Sequence, residues 1–273
     1  MSMSLSTRFP RVGLIGFGAF GQLIARHLSP LVPICVHDPA SGCDLPQHPS
    51  LRFCPLAETA ACPLVILAVP VSAMEQLCHE IAPLLTPGAL VMDVGSVKMA
   101  PAEVMLRTLP PEVQLLGSHP LFGPQSAAQG LAGQKIALCP LRGGRPLRLA
   151  ALLRHVFGLD VIWTTPEAHD RELATVQGLT HLIAQALSQV APGPLRMTTA
   201  SFELMQQASR MVAGDAPNVQ QAILRDNPFA AEVRATFLQC AADLGQSSTY
   251  QPRATPWSAT QCPAKSPPKV AGF

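Results

Sequence analysis

The sequence predicts a doubly wound α/β domain followed by a smaller all-helical one. Three observations carry this reading. An apolar run, Val12 to Ile15, turns glycine-rich and then takes on helical spacing as far as Leu28. Short apolar runs and helix-like stretches then alternate up to Trp163, the pattern of a parallel sheet with crossover helices. Beyond Trp163 helical spacing persists and no strand-like run appears. The expected boundaries are 1–163, 164–246 and a Pro-, Ser- and Thr-rich tail over 247–273 that is expected to be disordered.

The glycine-rich stretch reads Gly16-Phe17-Gly18-Ala19-Phe20-Gly21, the spacing of a dinucleotide fingerprint between a strand and a helix. Gly16 can take the tight turn, Gly18 lets backbone approach a pyrophosphate, and Gly21 lets the helix sit close on the strand. The helix N-terminus then offers unpaired N–H groups and partial positive charge. Asp38 follows a second apolar run, Val32 to Val36, and lies 22 residues after Gly16. A carboxylate at that distance accepts hydrogen bonds from an adenosine ribose and repels a 2′-phosphate. A Rossmann-type domain binding NAD in preference to NADP is expected, with Val69, at the end of the next strand, and Pro70 after it also facing the cofactor.

The remaining elements follow in order. Gly42 to Pro49 reads as a loop and Leu56 to Cys62 as a short helix. Leu64 to Val69 is apolar without alternation, as a strand buried on both faces requires. Pro70-Val71-Ser72 opens a helix to about Ile81, with Ser72 as its expected cap and Glu75 three residues on. Strands are expected at Ala89 to Val94, Val113 to Leu116, Lys135 to Cys139 and Val161 to Trp163, and helices from Lys98 to Leu109 and from Arg145 to Phe157. In the second half, helices are expected over Glu167 to Val190, Thr199 to Ala213, Val219 to Arg225 and Phe229 to Leu244.

Composition narrows the function classes. The chain has 273 residues and is 48% hydrophobic, enough for a sizeable core, but only 13% charged. A formal net charge of +2, without a cluster of Lys or Arg among aromatics, argues against nucleic acid. No apolar stretch has the length of a membrane span, and no leader is expected from the Ser-rich start. The eight cysteines form no CxxC pair, so no metal site is expected and a reducing cytoplasm is the default compartment.

Three polar segments are candidates for chemistry at the carboxyl ends of the strands. Ser96, in Gly95-Ser96-Val97-Lys98, can meet a substrate hydroxyl or cap the following helix. His119 precedes Pro120, which holds it extended. It is read as part of a shaped loop, and its neutral imidazole suits removal of an alcohol proton as hydride leaves. In the helical half, His169 opens a long helix and His181 sits twelve residues later in an apolar run. His169 near a helix start serves packing or capping as readily as substrate, and His181 needs a partner, which a substrate or an interdomain hydrogen bond would supply. Arg210, also among apolar residues, needs an anion: a substrate carboxylate, or Asp215 or Asp226.

Together these segments resemble the prephenate dehydrogenase (TyrA-type prephenate/arogenate dehydrogenase) family. The resemblance rests on Gly16 to Gly21, Asp93-Val-Gly-Ser-Val-Lys98, His119-Pro-Leu-Phe-Gly-Pro124, His169-Asp170, Val176-Gln-Gly-Leu-Thr-His181, and Ser209-Arg210 with Asp215 following. It covers about residues 10–245. It implies NAD-dependent oxidative decarboxylation of prephenate to 4-hydroxyphenylpyruvate in tyrosine biosynthesis. It makes His119 the base toward the ring hydroxyl, with Ser96 beside it, and Arg210 the clamp on the ring carboxylate. His181 and His169 become substrate-side residues, and the helical domain pairs two copies. Alternatives are arogenate dehydrogenation, a β-hydroxyacid or imine reductase of the same two-domain plan, and a non-enzymatic NAD-binding regulator.

Overall fold

Short apolar runs buried on both faces build the sheet. The computed structural model describes residues 9–39, 49–191 and 193–246. The tail over 247–273 and most of the loop expected from Gly42 lie outside the described residues. Eight strands line up: β1 (Val12–Ile15), β2 (Ile34–His37), β3 (Leu51–Phe53), β4 (Leu64–Leu67), β5 (Leu90–Asp93), β6 (Gln114–Pro120), β7 (Lys135–Arg142) and β8 (Asp160–Trp163). Their spatial order is β3-β2-β1-β4-β5-β6-β7-β8. Neighbours run parallel except β6 and β7, which are antiparallel. The expected parallel sheet therefore contains one reversed pair.

Helices cover both faces. On one, α1 (Ala19–Leu28) and α5 (Leu147–His155) bury Ala25, Leu149, Leu152 and Leu153 against Val12, Leu14, Ile66, Met92 and Leu138. On the other, α2 (Leu56–Ala60), α3 (Met74–Ile81) and α4 (Met99–Thr108) bury Ala60, Leu77, Ile81 and Met105 against Ile15, Val65, Leu67, Val91 and Leu115. Successive strand residues alternate between these two cores, as the pleat dictates. Burying each of the large side chains contributes about 1.5–3 kcal/mol. The chain runs away from β1 through β2 to β3 and then restarts beyond β1 at β4. The order thus reverses between β1 and β4, and ligands bind such sheets at the carboxyl ends of those strands. Gly16, Asp38, Val69, Ser96 and His119 all follow or end strands at that edge.

Several local expectations need correction. His119 is not in a loop: β6 continues to Pro120, with His119 opposite Ala137 of β7. Proline is tolerated there because β5 stops at Asp93, opposite Gly117, and the next bond to β7 is donated by the Leu121 N–H, so no ladder bond is due from the Pro120 nitrogen. β3 was not foreseen; it is three residues long and half open to solvent, so it carries no period. Ser72 makes no capping hydrogen bond, because a 3₁₀ turn over Val71–Ala73 precedes α3.

Past Trp163 the chain is helical: α6 (Pro166–Val190), α7 (Ala200–Ala213), α8 (Pro217–Gln221) continued by a π turn over Ala222–Asp226, and α9 (Ala230–Gln246). Thr165 caps α6 by accepting the Ala168 N–H at 3.2 Å, with Pro166 at the first helical position. The buried stripe of α6 contains His169, Asp170, Leu173, Ala174, Gly178, His181 and Ala184, one face at helical spacing. Residues through Thr236 form one compact unit and those from Phe237 a second. No described helix is long and apolar enough to cross a membrane.

Candidate active site

The dinucleotide loop has the geometry its glycines require. Gly16 lies at φ +98°, and a Cβ there would stand 2.3 Å from the Ala68 carbonyl oxygen, so only glycine fits without strain. A Cβ on Gly21 would stand 2.2 Å from the Gly16 oxygen; this is the close approach of α1 to β1. Gly18 faces open space and is exposed with Ala19. That is the vacancy a pyrophosphate needs beside a helix N-terminus. The Phe17 N–H donates to Asp38 Oδ2 at 2.5 Å, so Asp38 fixes the loop as well as standing at the end of β2. The Phe17 ring is buried against Phe53, which leaves it no face for a cofactor. Val69 lies beside Gly16, and Pro70 is exposed after it. Phe20 packs against Phe122 at 6.3 Å between ring centroids, joining this loop to the segment after His119. The residues present fit a dinucleotide.

The catalytic candidates meet where β5, β6 and α6 converge. His119 is 3% exposed, and its Nδ1 lies 2.9 Å from Nε2 of His169. His169 Nδ1 lies 2.7 Å from Asp170 Oδ1. Asp170 also accepts the backbone N–H groups of Lys98 (2.7 Å) and Met99 (2.8 Å). It thereby satisfies the start of α4 from a helix 70 residues away, a role Ser96 does not take. Asn227 donates to the Asp170 carbonyl at 2.8 Å and fastens the π turn to the same spot. Beneath His119, the buried Lys98 ammonium pairs with Asp93 and donates to the Ser118 carbonyl at 2.6 Å. Asp93 Oδ2 also accepts the Gly95 N–H at 2.9 Å, while Oδ1 is buried without a partner among the described residues. The Ser118 hydroxyl donates to the Asp93 carbonyl at 2.6 Å. Ser96 is half-buried at the bend between β5 and α4.

Burial, then the neighbouring His169 and Lys98, hold the His119 pKa well below the usual imidazole value. His119 is therefore neutral near pH 7. Its Nε2 has no partner among the described residues, so the imidazole can accept a proton from a bound alcohol.

His181 and Arg210 lie elsewhere. His181 Nδ1 donates to the Gln177 carbonyl at 2.9 Å, and Nε2 lies 3.0 Å from Asp215 Oδ2. Burial pulls its pKa down, but the hydrogen bonds to Asp215 and Gln177 and the Asp215 charge raise it overall. His181 and Arg210 line an open cleft of about 760 Å³ between α6 and α7, together with Gln185, Gln206 and Ser209. Neither His119 nor Ser96 lines it. Asp215 is taken by His181, and Arg210 is exposed with no ion pair to another described residue. Next to the cleft, a Cβ on Gly214 would stand 2.5 Å from Gln125 Nε2, in the segment that follows β6.

Among the described residues, one group could hold a metal ion, formed by Cys35, Cys54 and Glu58. Burial pushes the Cys54 thiol up to about 12, and Glu58 already pairs with Arg11 and Arg52. A protonated Cys54 thiol and a carboxylate already paired with two arginines make poor ligands. Sequence reasoning missed Asp170, Lys98 and Asp93 as functional residues, although all three stand inside motifs it singled out.

Fold and site together define a dinucleotide-binding α/β protein with a helical second half. The chain belongs to the prephenate dehydrogenase family. The family's nucleotide-binding domain (prephenate dehydrogenase, nucleotide-binding domain) matches residues 53–161, and its prephenate dehydrogenase, dimerization domain matches residues 165–250. A probable arogenate/prephenate dehydrogenase of Methanocaldococcus jannaschii is 29% identical over 188 residues, 65% of this chain and 42% of that protein. A 4-amino-4-deoxyprephenate dehydrogenase of Streptomyces pristinaespiralis is 30% identical over 199 residues, 70% of this chain and 66% of that protein. The chain thus spans between about two fifths and two thirds of these two relatives. The fold is also that of a prephenate dehydrogenase from Aquifex aeolicus crystallised with hydroxyphenyl propionate and NAD+. That match has a TM-score of 0.64 and 22% identity, and covers 86% of this chain and 89% of that one.

Proposed function

We propose that the protein catalyses NAD-dependent oxidative decarboxylation of prephenate, with residues 1–163 holding the cofactor and 164–246 completing the substrate side and pairing two copies. The observation that carries this reading is the buried, neutral His119, at the same sheet edge as the dinucleotide loop and with Nε2 unpaired by the described chain. When bound, the nicotinamide supplies the hydride acceptor. His119 Nε2 takes the proton of the ring hydroxyl as the C–H bond is lost, and the ring carboxylate leaves as carbon dioxide. Ser96, at the end of β5, orients the hydroxyl. Asp38 favours NAD over NADP by charge.

We assign the substrate carboxylate to Arg210. Its exposed guanidinium, without an ion pair to another described residue, and its place one turn before Gly214 on the cleft support this. Such a bond contributes about 1.5–3 kcal/mol. His181, held by Asp215, forms part of the cleft's wall beside Arg210. The exposed Leu204, Met205 and Met211 of α7, in a region matching a dimerization domain, support a homodimer.

The test is NADH and carbon dioxide formation with prephenate, arogenate and 4-amino-4-deoxyprephenate, side by side. Prephenate is expected to give the highest kcat/KM with both products in equal amounts. A clear preference for arogenate would keep the mechanism and change the substrate. NADH without carbon dioxide from a hydroxyacid would instead indicate a reductase of the same plan.

A further inference from the structure

The three side chains His119, His169 and Asp170 form a line of hydrogen bonds with only one consistent neutral arrangement. Asp170 Oδ1 can only accept, because the carboxylate already receives the N–H groups of Lys98 and Met99. His169 therefore carries its proton on Nδ1, 2.7 Å away, and its Nε2 is a bare acceptor. His119 Nδ1, 2.9 Å from that nitrogen, must then be the donor. The His119 proton sits on Nδ1 and the lone pair on Nε2. His169 and Asp170 are 2% and 0% exposed, so water cannot take over either bond.

We propose that His169 and Asp170 are positioning residues for the reaction: they fix the proton-accepting tautomer of His119 and store the proton it takes. The proposal rests on the dehydrogenase reading above. As hydride leaves, the substrate O–H bond breaks, its electron pair becomes the carbonyl π bond, and the proton bonds to His119 Nε2. The His119 Nδ1–H proton passes to His169 Nε2. His119 ends neutral as the opposite tautomer, and His169 ends as an imidazolium against the Asp170 carboxylate. Charge thus moves away from the nicotinamide and onto a preformed counter-ion. The other charged groups near the pair are Lys98 and Asp93, which form an ion pair with each other.

The test reads the tautomer directly, from the ¹⁵N imidazole spectrum of the full-length protein near pH 7.5. His119 is expected with Nδ1 protonated and Nε2 bare. In His169→Phe that pattern should disappear and kcat should fall about 100-fold or more, with the KM for NAD unchanged. In His169→Gln, whose amide oxygen can still accept from His119, the tautomer should return and kcat should recover about tenfold, without reaching the native rate. A merely structural role would make both variants lose alike and leave the His119 pattern native in each. A native His119 protonated on Nε2, or a native kcat in His169→Phe, overturns the proposal. The spectrum of the native protein needs neither substrate nor variant, so it decides the matter even if prephenate is not turned over.

Discussion

Asp170 Oδ1 accepts the backbone N–H of Lys98 at 2.7 Å across 72 residues of sequence. That bond, with its neighbour from Met99, makes a side chain of α6 the cap of α4. It ties the helical half to the sheet at the point where His119 stands. An orphaned helix start and an unpartnered His169 would both follow its loss. Asp170→Ala should therefore destabilise the protein by about 3 kcal/mol or more, read as a lower urea midpoint. An unchanged midpoint would contradict the capping role.

Lys98 and Asp93 form a buried ion pair beneath β6. Removing one partner leaves the other charge stranded, at a cost of about 3–5 kcal/mol. Lys98→Met should show that loss in denaturant unfolding, and Lys98→Met with Asp93→Asn together should recover much of it. Because Lys98 also holds the Ser118 carbonyl next to His119, the double variant should regain stability before it regains rate.

The dinucleotide loop separates folding from binding. A methyl group on Gly18 meets no atom within 4 Å, so Gly18→Ala should fold with native stability while raising the Kd for NAD by about tenfold or more. Gly16→Ala, with φ +98° and the Ala68 carbonyl in the way, should lower stability itself. Asp38→Asn should erode the preference for NAD over NADP. Calorimetric titration with both cofactors checks all three.

Two histidines give opposite pH signatures. The folded protein disfavours the charged form of His119, while the unfolded chain protonates it near 6.5. Its neutral state therefore costs stability as pH falls below about 6.5, by up to about 1.4 kcal/mol per pH unit. His181 is the reverse. Its folded pKa is raised, so its contribution is complete below about 6.5 and is lost as pH rises through the folded value. Urea midpoints measured against pH should show the acid loss reduced in His119→Asn and the loss on the alkaline side absent in His181→Gln. The acid limb of kcat/KM should lie below 6.5.

What was legible in the sequence is what local spacing encodes. The Gly16 to Gly21 turn, Asp38 and the buried strands follow from short periods and from residues with special backbone demands. What was not legible depends on contacts between distant residues. His119 meets His169 across 50 residues, and Asn227 reaches Asp170 across 57. No local period expresses either contact. The same holds for Arg210: its nearest acid in sequence, Asp215, is claimed by His181 from α6. The stretch from Gly117 to Pro124 reads locally as a loop, yet pairing with β7 carries β6 through His119 to Pro120.

The central claim is that His119 removes the hydroxyl proton in an NAD-dependent dehydrogenation. The most direct measurement is kcat for NADH formation from prephenate by the native protein and by His119→Asn, which keeps a polar group but cannot take the proton. The account predicts a fall of about 10²–10⁴-fold with the KM for NAD unchanged. A variant within tenfold of the native rate would contradict it.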